Sequence, residues 1–459
     1  MRKRKNHDAG SKAHVAPLPA DTGWLRAVIA LCEPMMEDAV LAPCSNDGSA
    51  SNLLVGPGGV RLIDFDRAGM MDPLYEVGAL LAELTDFETD MMPGFVAYLG
   101  GFDAVAFARA RRRRMAEIRR MAADAAAPCA EPSGVRGKDP HRQGAGMMKP
   151  LGTAATPMEE TIEDVILEAP LFRGGKGMVY GPVSGGISNE NWRVRSADGS
   201  GDWFVKVPGN GTEMFIDRVA AFDAARKAAA AGLGPRVYED LAHKGIEIND
   251  FLPDRRPSTH SDFAEPAKRR AAIAAYRRMH GMPALGLKKT VFDMIDEHAA
   301  QVAELGAPHY RDEAWVMYNA GLARQALEAA GLDLVPSFND PMPGNFMIGP
   351  DGSVMLIDYE YASMNDRCYD LGIWFGEMFF TPEQELELIE EYFGEVRRDI
   401  VARVTVHKAL ADVKWALWSM VQLKVSRLDF DFHKYGVWKL MRFRQITGHP
   451  DWPAHLRNL

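Results

Sequence analysis

The protein is a chain of 459 residues in which 47% are hydrophobic, and its formal net charge at pH 7 is −10. This composition is typical of globular proteins, and the acidic balance argues against a general nucleic-acid binder. No apolar run approaches the ~20 residues of a membrane-spanning helix. The cysteines lack metal-ligand spacing, which favours reduced thiols in a cytoplasmic protein. They are Cys32, Cys44, Cys129 and Cys368.

Composition divides the chain into three zones. The first begins with a basic stretch, residues 1–20, which we interpret as a disordered tail. Residues 21–121 then show a helical pattern over Trp24–Met36, two strand-like runs around the turn of LLVGPGGVRLIDF, and an apolar helix after Pro73. Residues 122–160 are rich in Ala, Pro and Gly and lack helix or strand periodicity, so we expect a flexible linker there.

The third zone, residues 161–459, has the order of a two-lobed domain. The β-like runs GMVYGPV, NWRVR and WFVKV precede a helix through Ala220–Ala231. The rest is mostly helical, apart from a hairpin, NFMIGPDGSVMLIDY, whose apolar runs flank a Pro-Asp-Gly turn. We predict an α+β fold with a small β-rich N-lobe, about residues 161–254, and a large helical C-lobe, about residues 255–459.

One internal repeat links the first and third zones. PCSNDGSASNLLVGPGGVRLIDF parallels PSFNDPMPGNFMIGPDGSVMLIDY. Three side chains recur at matched positions: Asp47, Asn52 and Asp64 in the first copy, and Asp340, Asn345 and Asp358 in the second. We therefore predict that residues 21–121 are a partial, degenerate copy of the C-lobe. We interpret this copy as a structural or regulatory remnant. The alternative is that it docks on the intact domain or on a second chain, as in a homodimer.

A loop and the hairpin are expected to bring three oxygen-bearing side chains together. Asp340 lies five residues before Asn345, and Asp358 follows the far strand. Phosphoryl transfer needs a carboxylate that orients and deprotonates the attacking hydroxyl, together with oxygen ligands for Mg²⁺. Asp340 suits the catalytic role, and Asn345 and Asp358 suit the metal. Alone, an Asp-x4-Asn pair is usually a pair of turn residues, so the hairpin and Asp358 carry the prediction.

A Gly-rich turn and a strand lysine are the candidate ATP ligands. The turn lies between two β-like runs, where its backbone amides can approach phosphates. The predicted ATP-binding residues are Ser184, Gly185, Gly186, Ser188, Asn189 and Lys206. Their order, followed by a helix, the Asp-x4-Asn pair and a last aspartate, is that of a protein-kinase-like fold.

Several motifs in this order resemble those of the choline/ethanolamine kinase family, within the wider aminoglycoside-phosphotransferase-like group. They are SGGISNENW, VKVPGNGTEMFIDR, AAGLGPRVY, FNDPMPGNF, LIDYEYASMNDRCYDLG and WALWSMVQLKVSRLDFDFHKYG, and the likeness covers about residues 175–445. The resemblance implies an ATP- and Mg²⁺-dependent kinase that phosphorylates the hydroxyl of a small amino alcohol.

The resemblance also implies an acceptor pocket. Tyr361, Trp415, Trp418 and Tyr435 would surround a trimethylammonium group, and Glu377 would add negative charge. A quaternary ammonium cannot donate hydrogen bonds, so aromatic faces are its natural partners. Helical spacing alone would favour a core position for the two tryptophans. Choline is the expected acceptor, and ethanolamine, thiamine, an aminoglycoside or another small alcohol is the alternative.

Two departures from the kinase pattern leave a second class of function open. Ala221 stands where such kinases carry a glutamate that pairs with the strand lysine, and either Glu213 or Asp223 could replace it. Phe338 stands where a histidine is usual. The alternative hypothesis is therefore a catalytically impaired pseudokinase that binds nucleotide or amine without transferring phosphate.

Overall fold

The structure is a computed structural model that describes two sets of residues. The first is 42–45, 52–56, 59–63, 68–71, 73–74, 76–77, 80 and 96–98, and the second is 148–183, 189–209, 216–426, 428 and 430–459. The chain divides into two compact units, Met1–Val135 and Arg136–Leu459. The predicted tail and the helix over Trp24–Met36 lie outside the described residues. Among the described helices, none has the length and apolar character needed to cross a bilayer.

The first unit contains short antiparallel strand pairs. The strands are β1 (Ala42–Cys44), β2 (Leu53–Gly56), β3 (Gly59–Leu62) and β4 (Gly69–Met71). β2 pairs with β3 and β1 pairs with β4. The two predicted strands of LLVGPGGVRLIDF are therefore confirmed as an antiparallel pair. Residues 73–74, 76–77 and 80 are helical, in agreement with the helix expected after Pro73.

The N-lobe of the second unit is a six-stranded sheet flanked by helices. In chain order it comprises β5 (Lys149–Pro150), α1 (Pro157–Glu168), β6 (Met178–Pro182), β7 (Asn189–Ser196), β8 (Asp202–Pro208), α2 (Arg218–Ala230), β9 (Val237–Tyr238) and β10 (Glu247–Asp250). The strand order is β5-β6-β7-β8-β10-β9. Ile162, Tyr180, Trp192 and Val205 are buried in its core.

Regular structure begins earlier than the expected domain start at residue 161. β5 and the first residues of α1 fall inside the stretch that we expected to be a linker, which is a correction to the expected boundary. The local reason is a helix start: the Thr156 side chain accepts a hydrogen bond from the Glu159 N–H, and Pro157 occupies the first turn. Thr and Pro at these positions favour a helix N-terminus.

The C-lobe is mostly helical. Its strands are β11 (Arg256–Pro257), β12 (Leu334–Ser337), β13 (Phe346–Ile348), β14 (Val354–Leu356) and β15 (Ser363–Asp366). Its helices are α3 (Pro266–His280), α4 (Val291–Glu304), α5 (Glu313–Ala330), α6 (Arg367–Met378), α7 (Pro382–Phe393), α8 (Arg398–Val425), α9 (Phe432–Thr447) and α10 (Trp452–Arg457). β13 and β14 form the predicted hairpin, and Gly352 takes a φ of 78° in its turn.

Helix α8 is the centre of the C-lobe. It packs against α4, α6 and α9, and every residue from Ala409 to Gln422 is buried. A helix that is apolar on all sides belongs in a core. Because this part of α8 is buried, the two tryptophans of the predicted acceptor pocket are held in place.

The two copies of the internal repeat share one strand register. Each copy contains one short antiparallel strand pair and one hairpin. In the strand pair, Cys44 opposite Gly69 in the first copy corresponds to Ser337 opposite Ser363 in the second. In the hairpin, Leu53 opposite Leu62 corresponds to Phe346 opposite Leu356. A hydrogen bond also recurs, from Ile63 N to Asn52 O and from Ile357 N to Asn345 O. The described residues of the first unit therefore repeat the framework around Asp340.

Candidate active site

The loop after β12 holds Asp340 in place through its backbone. The carboxylate of Asp370 accepts hydrogen bonds from the backbone N–H groups of Phe338 and Asn339, each at 2.6 Å. Asn339 has a φ of 64°, a left-handed conformation that Asn tolerates better than most residues. The Nε2 of His280 lies 3.0 Å from the Oδ2 of Asp370. Phe338 stands in place of the usual histidine. Its backbone N–H still donates to Asp370, and its ring is fully buried.

Asp340 and Asn345 are direct neighbours, as their spacing predicted. The amide Nδ2 of Asn345 donates to the Asp340 carbonyl oxygen at 3.0 Å and to its carboxylate Oδ2 at 3.3 Å. Asp340 is 9% exposed. Burial raises the pKa of Asp340 to about 7, and the charge of Asp358 adds to that rise. This carboxyl group is therefore able to accept a proton near neutral pH.

Asp358 lies at the mouth of the hairpin and meets the N-lobe. It follows β14 with a φ of 69°, and its Oδ1 is 2.6 Å from the Nζ of Lys206 on β8. A left-handed residue outside glycine is uncommon and recurs at functional sites. The structure thus brings Lys206, Asp340, Asn345 and Asp358 together in one region between the lobes.

Lys206 has a second carboxylate partner that the sequence reasoning missed. The Glu360 Oε1 lies 3.0 Å from Lys206 Nζ and 2.6 Å from Arg218 Nη1, and it accepts a hydrogen bond from Asn189 Nδ2 at 2.9 Å. Burial alone would lower the pKa of Lys206, but Asp358 and Glu360 hold that pKa above its usual value. Glu360 stands only two positions after the predicted metal ligand Asp358, and this proximity in the sequence was the available signal.

Asp223, one of the two expected substitutes for the missing helix glutamate, does not act as proposed. Asp223 pairs instead with Lys227 at 2.7 Å and accepts the backbone N–H of Gly286 at 2.9 Å. Glu213 lies outside the described residues. Because Lys206 is held by Asp358 and Glu360, Ala221 does not leave it without a carboxylate. The main reason for expecting a pseudokinase is therefore removed.

The predicted Gly-rich turn is described only at its end. Ser184, Gly185, Gly186 and Ser188 lie outside the described residues, whereas Asn189 begins β7. Its side chain joins the charged cluster because Asn189 Oδ1 also accepts from Arg218 Nη2 at 3.2 Å. Residues of both lobes line a narrow cleft beside the cluster. They include Val237 and Asn249 of the N-lobe and Ile357 and Tyr359 of the C-lobe.

The four aromatic residues predicted to surround the acceptor are in mutual contact. Ring centroids are 5.4 Å apart for Tyr361 and Trp415, 5.3 Å for Trp415 and Trp418, and 6.1 Å for Trp418 and Tyr435. All three contacts are edge-to-face, a favourable aromatic geometry. We call these residues the aromatic wall.

Two lysines lie against the aromatic wall, and sequence reasoning missed both. Lys414 Nζ is 3.0 Å from the Trp415 ring centroid and 4.3 Å from that of Tyr361. Lys439 Nζ is 4.8 Å from the Tyr435 centroid. Lys414 has no solvent exposure, and within the described part of the chain its Nζ has no hydrogen-bond partner. The signal was a lysine inside the apolar run of α8.

Glu377, predicted to face the acceptor, is already paired with cations of the chain. Its Oε1 contacts Lys439 Nζ and lies 3.3 Å from Arg442 Nη2. Burial alone would raise the pKa of Glu377, but Lys439 and Arg442 lower it below its usual value. Arg442 also pairs with the buried Asp412. The negative charge of Glu377 is therefore largely compensated within the protein.

Comparison with known proteins agrees with the family resemblance. The model of the family described as "Choline/ethanolamine kinase" matches residues 181–444, and that of "Phosphotransferase enzyme family" matches residues 2–118. A choline/ethanolamine kinase of Homo sapiens is 24% identical over 265 residues, which cover 48% of this chain and 66% of that protein. An ethanolamine kinase of Drosophila melanogaster is 28% identical over 274 residues, covering 50% and 51%. The chain thus spans about one half to two thirds of these two relatives.

Solved structures confirm the predicted two-lobed kinase-like fold. A choline/ethanolamine kinase family protein from Mesorhizobium loti has a TM-score of 0.57 and 28% identity, covering 66% of this chain and 98% of its own. The choline kinase of Streptococcus pneumoniae has a TM-score of 0.53 over 64% of this chain and 100% of its own. At 21% identity, that second likeness concerns the fold alone.

Proposed function

Because this chain belongs to the choline/ethanolamine kinase family, we propose that it transfers the γ-phosphoryl group of ATP to the hydroxyl of a small amino alcohol, with Mg²⁺. The observation that carries the proposal is the meeting of Lys206, Asp340, Asn345 and Asp358 between the lobes. Phosphoryl transfer depends mainly on positioning and charge stabilisation, and these four side chains supply both.

Asp340 is the proposed catalytic residue. Its carboxylate would accept a hydrogen bond, and then the proton, from the attacking hydroxyl. Two features support this role: its pKa is raised to about 7 by burial, and Asn345 fixes the orientation of its Oδ2. General-base catalysis is most efficient when the pKa of the base lies near the working pH.

Lys206 is the proposed ligand of the ATP phosphates, with the turn at residues 184–189 closing over them. An ammonium held by Asp358 and Glu360 cannot swing freely, so it would meet the phosphates in one position. Positioning of this kind lowers the entropic cost of reaching the transition state. Asn189 would connect the turn to the same cluster through its hydrogen bond to Glu360.

Asn345 and Asp358 are the proposed metal ligands, and their chemistry fits Mg²⁺. This ion prefers oxygen ligands and commonly takes one or two carboxylates beside phosphates and water. Among the described residues, no group of three or more His, Cys, Asp or Glu side chains could hold a metal ion by itself, so substrate oxygens would complete the coordination. Mg²⁺ bound with ATP would neutralise charge on the transferred phosphate.

The acceptor would lie between Asp340 and the aromatic wall. The sequence favoured choline for this position, and the relatives include proteins named as choline kinases and proteins named as ethanolamine kinases. An amino alcohol is therefore the proposed substrate class, with choline and ethanolamine as the two acceptors to compare.

The direct test is ADP release by the purified full chain with ATP, Mg²⁺ and either choline or ethanolamine. We expect acceptor-dependent ADP release, and Asp340→Ala should lower it by roughly 100- to 10,000-fold, the usual contribution of general-base catalysis. Asp296→Ala is the matched control, since Asp296 is an exposed carboxylate that pairs with Arg324 on the surface. Wild-type release that does not exceed that of Asp340→Ala with either acceptor would refute the proposal.

A further inference from the structure

Lys414 lies inside the pocket that the aromatic residues were predicted to offer to the substrate. Its Nζ is 3.0 Å from the centre of the Trp415 ring and 4.3 Å from that of Tyr361. These are the ring faces that would otherwise attract a cation. A group of the chain itself therefore occupies the position foreseen for a trimethylammonium.

Elsewhere in the predicted acceptor pocket, the groups that could bind the quaternary nitrogen of a substrate already contact positive side chains of the chain. Tyr435 has Lys439 at 4.8 Å from its ring, and Glu377 is shared by Lys439 and Arg442. A quaternary cation would have to compete with the Lys414 amine for the aromatic faces and with Lys439 and Arg442 for the Glu377 carboxylate. At short range inside a protein, like charges repel strongly.

Lys414 is at the same time a buried polar group that still needs a partner. Its side chain has no solvent exposure and, among the residues that the structure describes, no hydrogen bond. A buried amine in this state is costly unless a ligand supplies a partner. A trimethylammonium has no N–H and cannot do so, whereas a primary ammonium can donate a hydrogen bond to an amine nitrogen.

We propose that Lys414 determines the acceptor specificity of this pocket, selecting amino alcohols whose nitrogen carries hydrogens and rejecting quaternary ones such as choline. The inference rests on the proposed kinase function and names its substrate subclass. The neutral amine of Lys414 accepts a hydrogen bond from the substrate N–H, while the substrate hydroxyl lies at Asp340. Burial lowers the pKa of Lys414 well below its usual value, which favours the neutral form that this contact needs.

The test is a graded series of acceptors: ethanolamine, N-methylethanolamine, N,N-dimethylethanolamine and choline, each assayed by ADP release with the full chain and MgATP. The first three keep at least one N–H when protonated, and choline has none. We expect kcat/KM to fall by roughly 10-fold or more at the last step, the loss that follows removal of one hydrogen bond to a charged group. This part of the test needs no variant.

Two Lys414 variants and one control variant locate the effect. Lys414→Met should abolish that final drop and raise the choline-to-ethanolamine ratio of kcat/KM by about 10-fold. Lys424→Met is the matched control, because Lys424 lies on the exposed side of the same helix, and it should keep the wild-type ratio. Lys414→Gln, which retains a polar group of smaller reach, should fall between Lys414→Met and the wild type.

The two proposals fail in different ways. Equal use of choline and ethanolamine by the wild type, or an unchanged ratio in a folded Lys414→Met, would overturn the role of Lys414 and leave the kinase intact. Absence of ADP release with all four acceptors would overturn the kinase function and this inference together. Thermal melting of each variant shows whether it is folded.

Discussion

Replacing Glu360 with glutamine removes one negative charge from the buried cluster around Lys206 and leaves the side-chain volume nearly unchanged. In the native cluster the Glu360 Oε1 contacts Lys206 at 3.0 Å, Arg218 at 2.6 Å and Asn189 at 2.9 Å. The side chains of Glu360 and Lys206 are only 5% and 6% exposed, so solvent screens their interaction little. The variant therefore tests whether Glu360 performs the work of the missing helix glutamate.

The expected loss of activity in Glu360→Gln depends on the contacts that Lys206 keeps. Removing one charge of a buried, hydrogen-bonded pair costs ~2–5 kcal/mol. Lys206 keeps Asp358 at 2.6 Å, so we expect the lower end, ~2 kcal/mol, which is roughly a 30-fold decrease in kcat/KM for ATP. Because the lysine would be misplaced before and during transfer, KM for ATP should rise and kcat should fall.

The assay is ADP release over a range of ATP concentrations at saturating acceptor, with ATP affinity measured separately by calorimetry. Glu328→Gln is the control, since Glu328 forms an exposed pair with Arg324 at 2.9 Å on the surface of α5. Such pairs contribute at most ~1 kcal/mol, and kinetics within about twofold of the wild type are expected. If Glu360→Gln also behaves like the wild type, Asp358 alone positions Lys206 and our account of Ala221 is wrong.

Two further predictions concern stability. Gly372→Ala should lower the free energy of unfolding by roughly 1–3 kcal/mol, because its Cβ would lie 2.7 Å from the Val404 carbonyl oxygen of α8. Gly321 is a helical site where an added Cβ would meet nothing within 4 Å, so Gly321→Ala should instead raise the free energy of unfolding by roughly 0.5–1 kcal/mol. If urea unfolding does not show Gly372→Ala to be the less stable variant, the close approach of α6 and α8 at Gly372 is contradicted. Burial lowers the pKa of His298 to about 3, so below pH 6.5 the unfolded state binds more protons. Stability should fall by ~2–3 kcal/mol from pH 6 to pH 4, and His298→Gln should reduce that pH dependence in urea titrations; an unaltered dependence would refute it.

The framework of the site could be predicted because it depends on local patterns. The Pro-Asp-Gly turn sets the register of β13 and β14, and that register brings Asn345 and Asp358 to the same open end of the hairpin. Helical spacing likewise placed Trp415 and Trp418 together, and their rings are 5.3 Å apart. In each case a few neighbouring residues determine the geometry.

The charge partners could not be predicted, because they depend on which segments meet in the folded chain. Glu360 and Lys206 are 154 positions apart, and the sequence pattern suggested a partner for the lysine on the following helix. Lys414 shows the same difficulty. Its position in an apolar helix is visible in the sequence, yet only the packing of α8 against the segment of Tyr361 brings its amine to that ring.

The repeat separates the framework of this site from its chemistry. In the first copy, Glu76 stands at the position of Asp370, and its Oε1 still accepts the backbone N–H of Ser45 at 2.6 Å, as Asp370 does for Phe338. The strand register and the backbone hydrogen bond that holds the loop are therefore both kept when glutamate replaces aspartate at this position.

The same alignment shows where the copies diverge. Because Leu62 corresponds to Leu356 in the shared register, Asp66 falls at the position of Glu360, and Arg67 falls at that of Tyr361. The first copy therefore carries a shorter acid at the position that anchors Lys206 and a cation in place of one aromatic face. A conserved strand framework is consequently no sign of activity by itself. In the second unit, activity is expected to depend on the long-range contacts of Glu360 and on the aromatic wall, the features that the first copy replaces.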